Sequence, residues 1–315
     1  MSMSEIGGVA SLLLLFFHVV VFSGVESATF TILNKCTYTV WPGILSGAGT
    51  PQLSTTGFTL QPGQSNAISV PASWSGRLWG RTLCAQNATE GRFVCVTGDC
   101  GSPTVECSGS GAVPPATLAE FTLNGAGGLD FYDVSLVDGY NLPMSVVPQG
   151  GKGGNCTSTG CAADLNTGCP KELQVDSDGG GSVACKSACN AFGDPKYCCS
   201  GAYSTPATCK PSAYSEFFKT ACPRAYSYAY DDGTSTFTCA SADYAITFCP
   251  SPSTSSVKTA GDQYAEAAPA SDSLAPAVWS ALQASASART GSTPPPFVAL
   301  VAVAAVWQLL QLLSP

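Results

Sequence analysis

Sixteen cysteines, all of them between Cys36 and Cys249, constrain this chain more than any other feature. An even number at such density points to an oxidising compartment and a disulfide framework. The spacings are irregular, and no repeated close pair frames a histidine, so a zinc framework is not indicated. Cys185 with Cys189, and the adjacent Cys198 and Cys199, suit short, tight loops. Spacing does not name the partners: sixteen cysteines allow about two million connectivities.

The single histidine, His18, lies in an apolar run at 12–22, LLLLFFHVVVF. That run is too short to span a bilayer and has the length of a leader's hydrophobic region. Small residues at 23–28 place a cleavage after Ser27, so residues 1–27 are expected to be a signal peptide. The segment before the run has no Lys or Arg and contains Glu5, a departure from the usual leader. A core helix is the alternative reading, and the cysteine usage speaks against it. Without its leader the protein has no histidine. That excludes Ser-His-Asp and Cys-His catalysis and His-ligated metals. Acid–base chemistry falls to carboxylates, lysines and tyrosines. With 13 Lys+Arg against 21 Asp+Glu, and a pI near 4.5, the chain lacks the basic face of a nucleic-acid binder.

The C-terminal part reads as an address. Residues 250–296 are rich in Ser, Ala, Pro and Thr and cannot bury enough apolar surface to offset ordering, so a disordered stalk is expected. Residues 297–313 (FVALVAVAAVWQLLQLL) carry no charge, and no basic residue follows them. Small residues 284–286, a polar spacer and an apolar tail match a glycosylphosphatidylinositol signal, with Ser285 as the anchor site and 297–315 as the tail. An embedded tail helix and a removed sorting propeptide are the alternatives.

Residues 28–249 form the expected folded domain. Period-two alternation and Gly/Pro/Asn turns predict strands at 28–34, 37–41, 58–60, 67–70, 77–81, 92–97, 119–123, 130–136, 144–147, 236–239 and 244–248. Many short strands argue a mainly β sandwich or barrel. Two helices are predicted, 182–192 stopping at Gly193 and 212–222 stopping at Pro223. Both fall in a stretch without strand signals, which reads as a cysteine-rich insertion.

Residues 91–100, GRFVCVTGDC, resemble the signature of the thaumatin-like family. Runs at 28–36, 118–123, 130–143 (DFYDVSLVDGYNLP) and 225–232 (AYSYAYDD) extend the resemblance over about 28–249, and the cysteines follow the family's order. Pro103 departs from the Gly or Gln the signature prefers, which should leave the fold intact. The resemblance implies a thaumatin-like β-sandwich core, two smaller disulfide-rich lobes and an acidic cleft. It also implies eight disulfides: Cys36–Cys249, Cys84–Cys95, Cys100–Cys107, Cys156–Cys239, Cys161–Cys222, Cys169–Cys185, Cys189–Cys198 and Cys199–Cys209.

The family's cleft carries one arginine and four carboxylates, and by motif position these are Arg77, Glu120, Asp133, Asp138 and Asp231. Independently of the family, Glu120 and Asp133 lie on successive predicted strands that can bring them together. Two carboxyl groups without histidine are the equipment of glycoside hydrolysis, and crowding like charges raises one pKa, as a proton donor requires. On this reading Glu120 donates the proton and Asp133 is base or nucleophile toward β-1,3-glucan. Asp138 and Asp231 hold substrate hydroxyls or tune pKa, and Arg77 pairs with them. The plainer reading is a binding or structural network held by Arg77 and Arg81. Tyr132, Tyr140 and Tyr230 could stack on sugars, but strand spacing favours core positions for them.

The resemblance therefore implies a secreted, pathogenesis-related plant defence protein with antifungal activity, which the C-terminal signal would anchor by lipid at the outer cell surface. It would bind cell-wall β-1,3-glucan and hydrolyse it weakly. The alternative is a surface protein that binds glucan, or inhibits hydrolases, without turnover. No cofactor is implied. Asn87-Ala88-Thr89 is an N-glycosylation acceptor; Asn155-Cys156-Thr157 is poorer because Cys156 should be bonded. The glycines at 150–154 read as a flexible loop, and the Asp176 and Asp178 carboxylates as solvated rather than calcium-binding, so no metal is expected.

Overall fold

The computed structural model describes residues 27–87, 91–177 and 179–251. Residues 1–26 of the expected leader and 252–296 of the expected stalk, the tail and Ser285, together with Ala88, Thr89 and Asp178, lie outside the described residues; Ser27, the last residue of the expected leader, opens the first strand.

Twelve strands are formed among the described residues: β1 (Ser27–Asn34), β2 (Trp41–Ser46), β3 (Ser65–Pro71), β4 (Ser75–Gln86), β5 (Phe93–Thr97), β6 (Leu118–Thr122), β7 (Asp130–Ser135), β8 (Met144–Lys152), β9 (Thr159–Cys161), β10 (Gln174–Asp176), β11 (Ser182–Cys185) and β12 (Phe237–Phe248). Ten belong to one curled sheet in the order β2-β4-β6-β7-β12-β1-β3, with β5 on β4, β8 on β12 and β9 on β8. The curl makes two layers. The first three residues of β12 pair with β7, and the rest pairs with β8 and, in parallel, with β1. Ser241, at φ 53°, marks where β12 passes between layers.

The core fills the space between the layers because one face of each strand is apolar. Ile44, Leu78, Ala119 and Val134 form one inward row across β2, β4, β6 and β7. Phe121 and Tyr132 form the next, and Phe121 meets Phe30 from the opposite layer with ring centroids 4.4 Å apart. Tyr132 and Tyr140 are core residues, as their spacing suggests, with hydroxyls donating to the carbonyls of Thr157 and Ala163.

All eight disulfides pair as the family resemblance implies, and no described cysteine is free. The GDC run of the signature has a local cause. Gly98 sits at φ 65°, and a Cβ there would lie 3.1 Å from the Gly80 carbonyl. Its own carbonyl accepts from Trp79 Nε1 at 2.8 Å. Asp99 accepts from the Cys95 and Gly101 amides, both at 2.6 Å. Pro103 costs nothing here, since the loop uses its carbonyl, which accepts from Phe93 N at 2.9 Å.

Four α-helices are present among the described residues: α1 (Ala188–Phe192), α2 (Pro195–Cys198), α3 (Ala213–Ala221) and α4 (Asp232–Ser235). The predicted helix at 212–222 is α3, opened by a Ser212–Ser215 capping box. The predicted helix at 182–192 is corrected. Residues 182–185 are β11, paired with β10, and only Ala188–Phe192 is helical, capped by Ser187 and stopped by left-handed Gly193. The insertion thus contains a strand ribbon. Three further corrections concern strands. Residues 37–39 are not strand, and β2 instead runs through Pro42 and Gly43, which sequence reading takes for a break. Residues 58–60 make only one isolated bridge, Leu60 with Val40. The segments 236–239 and 244–248 are one strand. Gly150 and Gly151 belong to β8, paired against β12, and not to a free loop.

Arg81 is fully buried and outside the acidic network the plainer reading assigns it to. Its guanidinium donates to the Trp41 and Pro42 carbonyls at 3.0 Å and to Val105 O, and lies 5.4 Å from the Phe93 ring. Burial lowers its pKa to about 10, so it stays charged at neutral pH. It ties β2 to the Cys100–Cys107 loop. Replacing Arg81 with Met orphans these carbonyls and should cost about 3 kcal/mol, read from urea unfolding. A loss under about 1 kcal/mol would overturn this role.

Candidate functional site: an acidic row on the outer face of the sheet

Antiparallel register builds the site. Arg77 on β4 stands opposite Glu120 on β6, and Glu120 opposite Asp133 on β7. Directly opposed residues share a face with Cβ atoms about 4.5–5.5 Å apart, so the three side chains form one row, on the face away from the sandwich core. Their strand neighbours Leu78, Ala119, Phe121 and Val134 point the other way. Beside this row lies another, of Trp79, Leu118 and Ser135, and Trp79 and Leu118 pack with the Cys100–Cys107 disulfide. The acidic row therefore stands on a stiff, partly apolar floor.

Glu120 is buried, 3% exposed. One oxygen of each carboxyl, Glu120 Oε2 and Asp133 Oδ2, is sealed from solvent with no hydrogen-bond donor among the described residues. Burial is the main cause that pushes the Glu120 carboxyl up to about 7; Arg77 opposes the shift and Asp138 adds to it. Burial, then the fields of Glu120 and Asp232, push Asp133 well above the ordinary carboxylate range. Asp138 follows β7 and is raised by burial, with Arg77 opposing. Arg77, Glu120, Asp133 and Asp138 are thus electrostatically one group.

Asp231 is held differently. Its carboxylate accepts from Ser227 N at 3.0 Å and from Thr234 Oγ1 at 3.2 Å, and pairs with Lys219 Nζ at 2.8 Å. The expected pairing of Asp231 with Arg77 is therefore corrected: its cation is Lys219, from α3. Tyr230 is tethered by its hydroxyl to Ser204 O at 2.6 Å.

Two residues that sequence reading passes over join the row. Tyr226 forms a parallel bridge with Ser135, its N–H donating to Val134 O at 2.9 Å. Its hydroxyl donates to Asp232 Oδ1 at 2.8 Å and also meets Thr236 Oγ1. The Asp-Asp pair at 231–232 was the available signal. It does not reveal which carboxylate turns toward Asp133. Among the described residues no group of three or more His, Cys, Asp or Glu is arranged to hold a metal ion.

A curled sandwich stapled by eight disulfides carries, on one outer face, a row of buried carboxyls whose pKa values are all raised. The thaumatin family model matches residues 34–250, and the chain belongs to that family. It is 61% identical over 242 residues to thaumatin-like protein 1 of Arabidopsis thaliana, covering 75% of this chain and 92% of the relative. It is 56% identical over 230 residues to a Prunus avium protein named glucan endo-1,3-beta-glucosidase, covering 73% and 93%. It is 56% identical over 232 residues to a PR5-like receptor kinase of Arabidopsis thaliana, covering 72% of this chain but 35% of that one.

Proposed function

We propose that this is a secreted defence protein whose acidic row binds cell-wall β-1,3-glucan and cleaves it weakly, with antifungal effect. The observation that carries the reading is the Glu120–Asp133 register pair beside Arg77. Its Cβ spacing of about 4.5–5.5 Å is compatible with carboxyl groups about 5 Å apart, the separation of retaining glycosidases. A relative named glucan endo-1,3-beta-glucosidase supports the same substrate class.

The two carboxyls titrate as a pair. Holding one proton between them, they supply an acid (Glu120) and a carboxylate (Asp133). Asp138 and Arg77 complete the row, and Asp231 shapes its far side through Ser227. Because the surroundings press Asp133 toward its neutral form, the ionised nucleophile is scarce. That favours slow turnover, and at the limit binding alone. Reducing ends released from a linear β-1,3-glucan, with binding measured in parallel, test the reading. Absence of both would sink it.

We further propose that residues 1–27 are a cleaved leader and that Ser285 carries a glycosylphosphatidylinositol anchor, holding the domain at the outer face of the plasma membrane on the 250–296 stalk. The anchor rests on the apolar, uncharged run at 297–313. Phosphatidylinositol-specific phospholipase should release the protein from cells; full retention would exclude the anchor. Asn87, exposed at the end of the β4–β5 hairpin, is the proposed glycan site, whereas Asn155 is tied by Thr238 N at 3.1 Å. Peptide N-glycosidase should leave an aspartate at position 87 in the peptide map; an unchanged asparagine there would refute occupancy.

A further inference from the structure

Away from the acidic row, the β4–β5 hairpin has an apolar face turned to solvent. β5 alternates strictly: Phe93, Cys95 and Thr97 are buried, while Val94 and Val96 are 47% and 53% exposed. Ala85, also exposed, stands opposite Val94. Leu83, 53% exposed, stands opposite Val96, between the Thr82–Thr97 and Cys84–Cys95 pairs. These four side chains make one contiguous strip, where lone exposed apolar residues would need no explanation. Leu83 also sits at φ 53°, a conformation that glycine or asparagine adopts at less cost. The backbone therefore gives no reason for an exposed leucine there.

The register carries this face to the end of the hairpin. Asn87 N–H donates to the Arg92 carbonyl at 2.7 Å. The alternation that exposes 83, 85, 94 and 96 therefore puts Asn87 and Arg92 on the same face, and both are exposed. Leu83 and Asn87 are four residues apart, about 13 Å along a strand. The outer edge of the hairpin, by contrast, is closed. Phe93 N–H donates to Pro103 O at 2.9 Å, and Cys95 N–H to Asp99 Oδ2 at 2.6 Å. A further strand finds those donors taken, so what settles here lies on the face and not along the edge.

We infer that the strip is the seat of the Asn87 glycan, whose first sugars turn back from the hairpin end and lie along Val94, Leu83 and Val96. N-acetylglucosamine offers an apolar C–H face and an acetyl methyl group to the valine and leucine side chains. Its hydroxyls and amide stay available to Arg92, a side chain that only donates, and to water. A sugar tethered at Asn87 is held beside the strip at high effective concentration, so weak contacts suffice to keep it there. Without a cover, an exposed apolar strip on a hairpin is an association hazard. The inference rests on occupancy of Asn87 and is independent of the glucan reading of the acidic row.

A double-variant cycle on the secreted protein tests it: Asn87→Gln is made with the strip intact and with Val94→Thr and Val96→Thr together. Threonine keeps the branched β carbon and the strand preference but presents a hydroxyl. With the strip intact, Asn87→Gln should lower the melting temperature by about 3 °C and raise the fluorescence of an added anilinonaphthalene sulfonate dye. In the threonine background both changes should fall by about half or more, the mark of coupled sites. Equal changes in the two backgrounds overturn the inference, because the glycan then acts away from the strip. No change in either background overturns it as well. Peptide mapping that finds unmodified Asn87 in the wild type removes the cover and the glycan site together and leaves the acidic row untouched. Dimerisation or phospholipid-vesicle binding by the glycosylated wild type, abolished by the two threonines, assigns the strip to another occupant and overturns the inference.

Discussion

Glu120→Gln should lower release of reducing ends from linear β-1,3-glucan by about 10²–10⁴-fold, the usual worth of a positioned general acid, while glucan affinity stays within about threefold. Glutamine keeps the size and polarity of the side chain on β6 but cannot donate a proton to a leaving oxygen. Because the cleaving form holds one proton between the two carboxyls, both pushed upward by burial, wild-type cleavage should decline at alkaline pH, where the pair loses that proton. An unchanged rate in the variant would remove Glu120 from the chemistry and leave the row as a binding surface.

The same substitution has a signature in stability that does not depend on turnover. A carboxyl pushed up by burial binds its proton more tightly in the folded state than in the unfolded one, where it titrates near 4.5. Between those values the folded state holds more protons, so stability falls as pH rises. The contribution is intact below about 4.5 and lost by the time pH passes about 7. Asp133 and Asp138 shift in the same direction, so they act with the same sign. The wild type should therefore melt at a higher temperature at pH 4.5 than at pH 8, and Glu120→Gln should narrow the gap. A wild type that is more stable at pH 8 would mean that the row is better solvated than its geometry implies.

How much of this was legible in the residues follows from the kind of signal each one carries. Strands with alternating faces, such as 28–34 and 119–123, announce themselves because one side must be apolar to reach the core. The 182–192 segment misleads because Ser187, its true N-cap, lies five residues inside a run that looks continuous. β2 is hidden because Pro42 and Gly43 read as a break, yet Gly43 is required: a Cβ there would lie 2.5 Å from the Trp79 ring. The row itself is half legible. That Glu120 and Asp133 lie on successive strands is a statement about sequence, but that they stand directly opposite each other depends on register. Register is set by every inward pair together. The partners of Arg81 and Asp231 were not legible, because one arginine on an acidic face and one clamped on carbonyls look alike in sequence. So do two adjacent aspartates of which one meets a lysine and the other a tyrosine.

The largest stability loss should come from opening the Cys36–Cys249 bridge. Its cysteines are 213 residues apart, and the chain-entropy relation gives about 5 kcal/mol for a loop of that order. Other bridges shorten the loop in the unfolded chain: Cys156–Cys239 spans 83 residues and provides a short cut. The cost of closure varies only with the logarithm of loop length, so the short cut removes about 0.5 kcal/mol. The folded ends are already adjacent, because β1 and β12 pair in parallel with Asn34 opposite Phe248. Removing the bridge should therefore leave the native geometry in place and act through the unfolded chain. Cys36→Ser combined with Cys249→Ser should lower the melting temperature by about 10 °C or more. Cys84→Ser combined with Cys95→Ser, which opens a loop of separation 11 between paired strands, should cost roughly half as much by the same relation. Scanning calorimetry of the two double variants decides the matter. If the long bridge costs no more than the short one, the stabilisation resides in native contacts around the bridges and not in the unfolded chain.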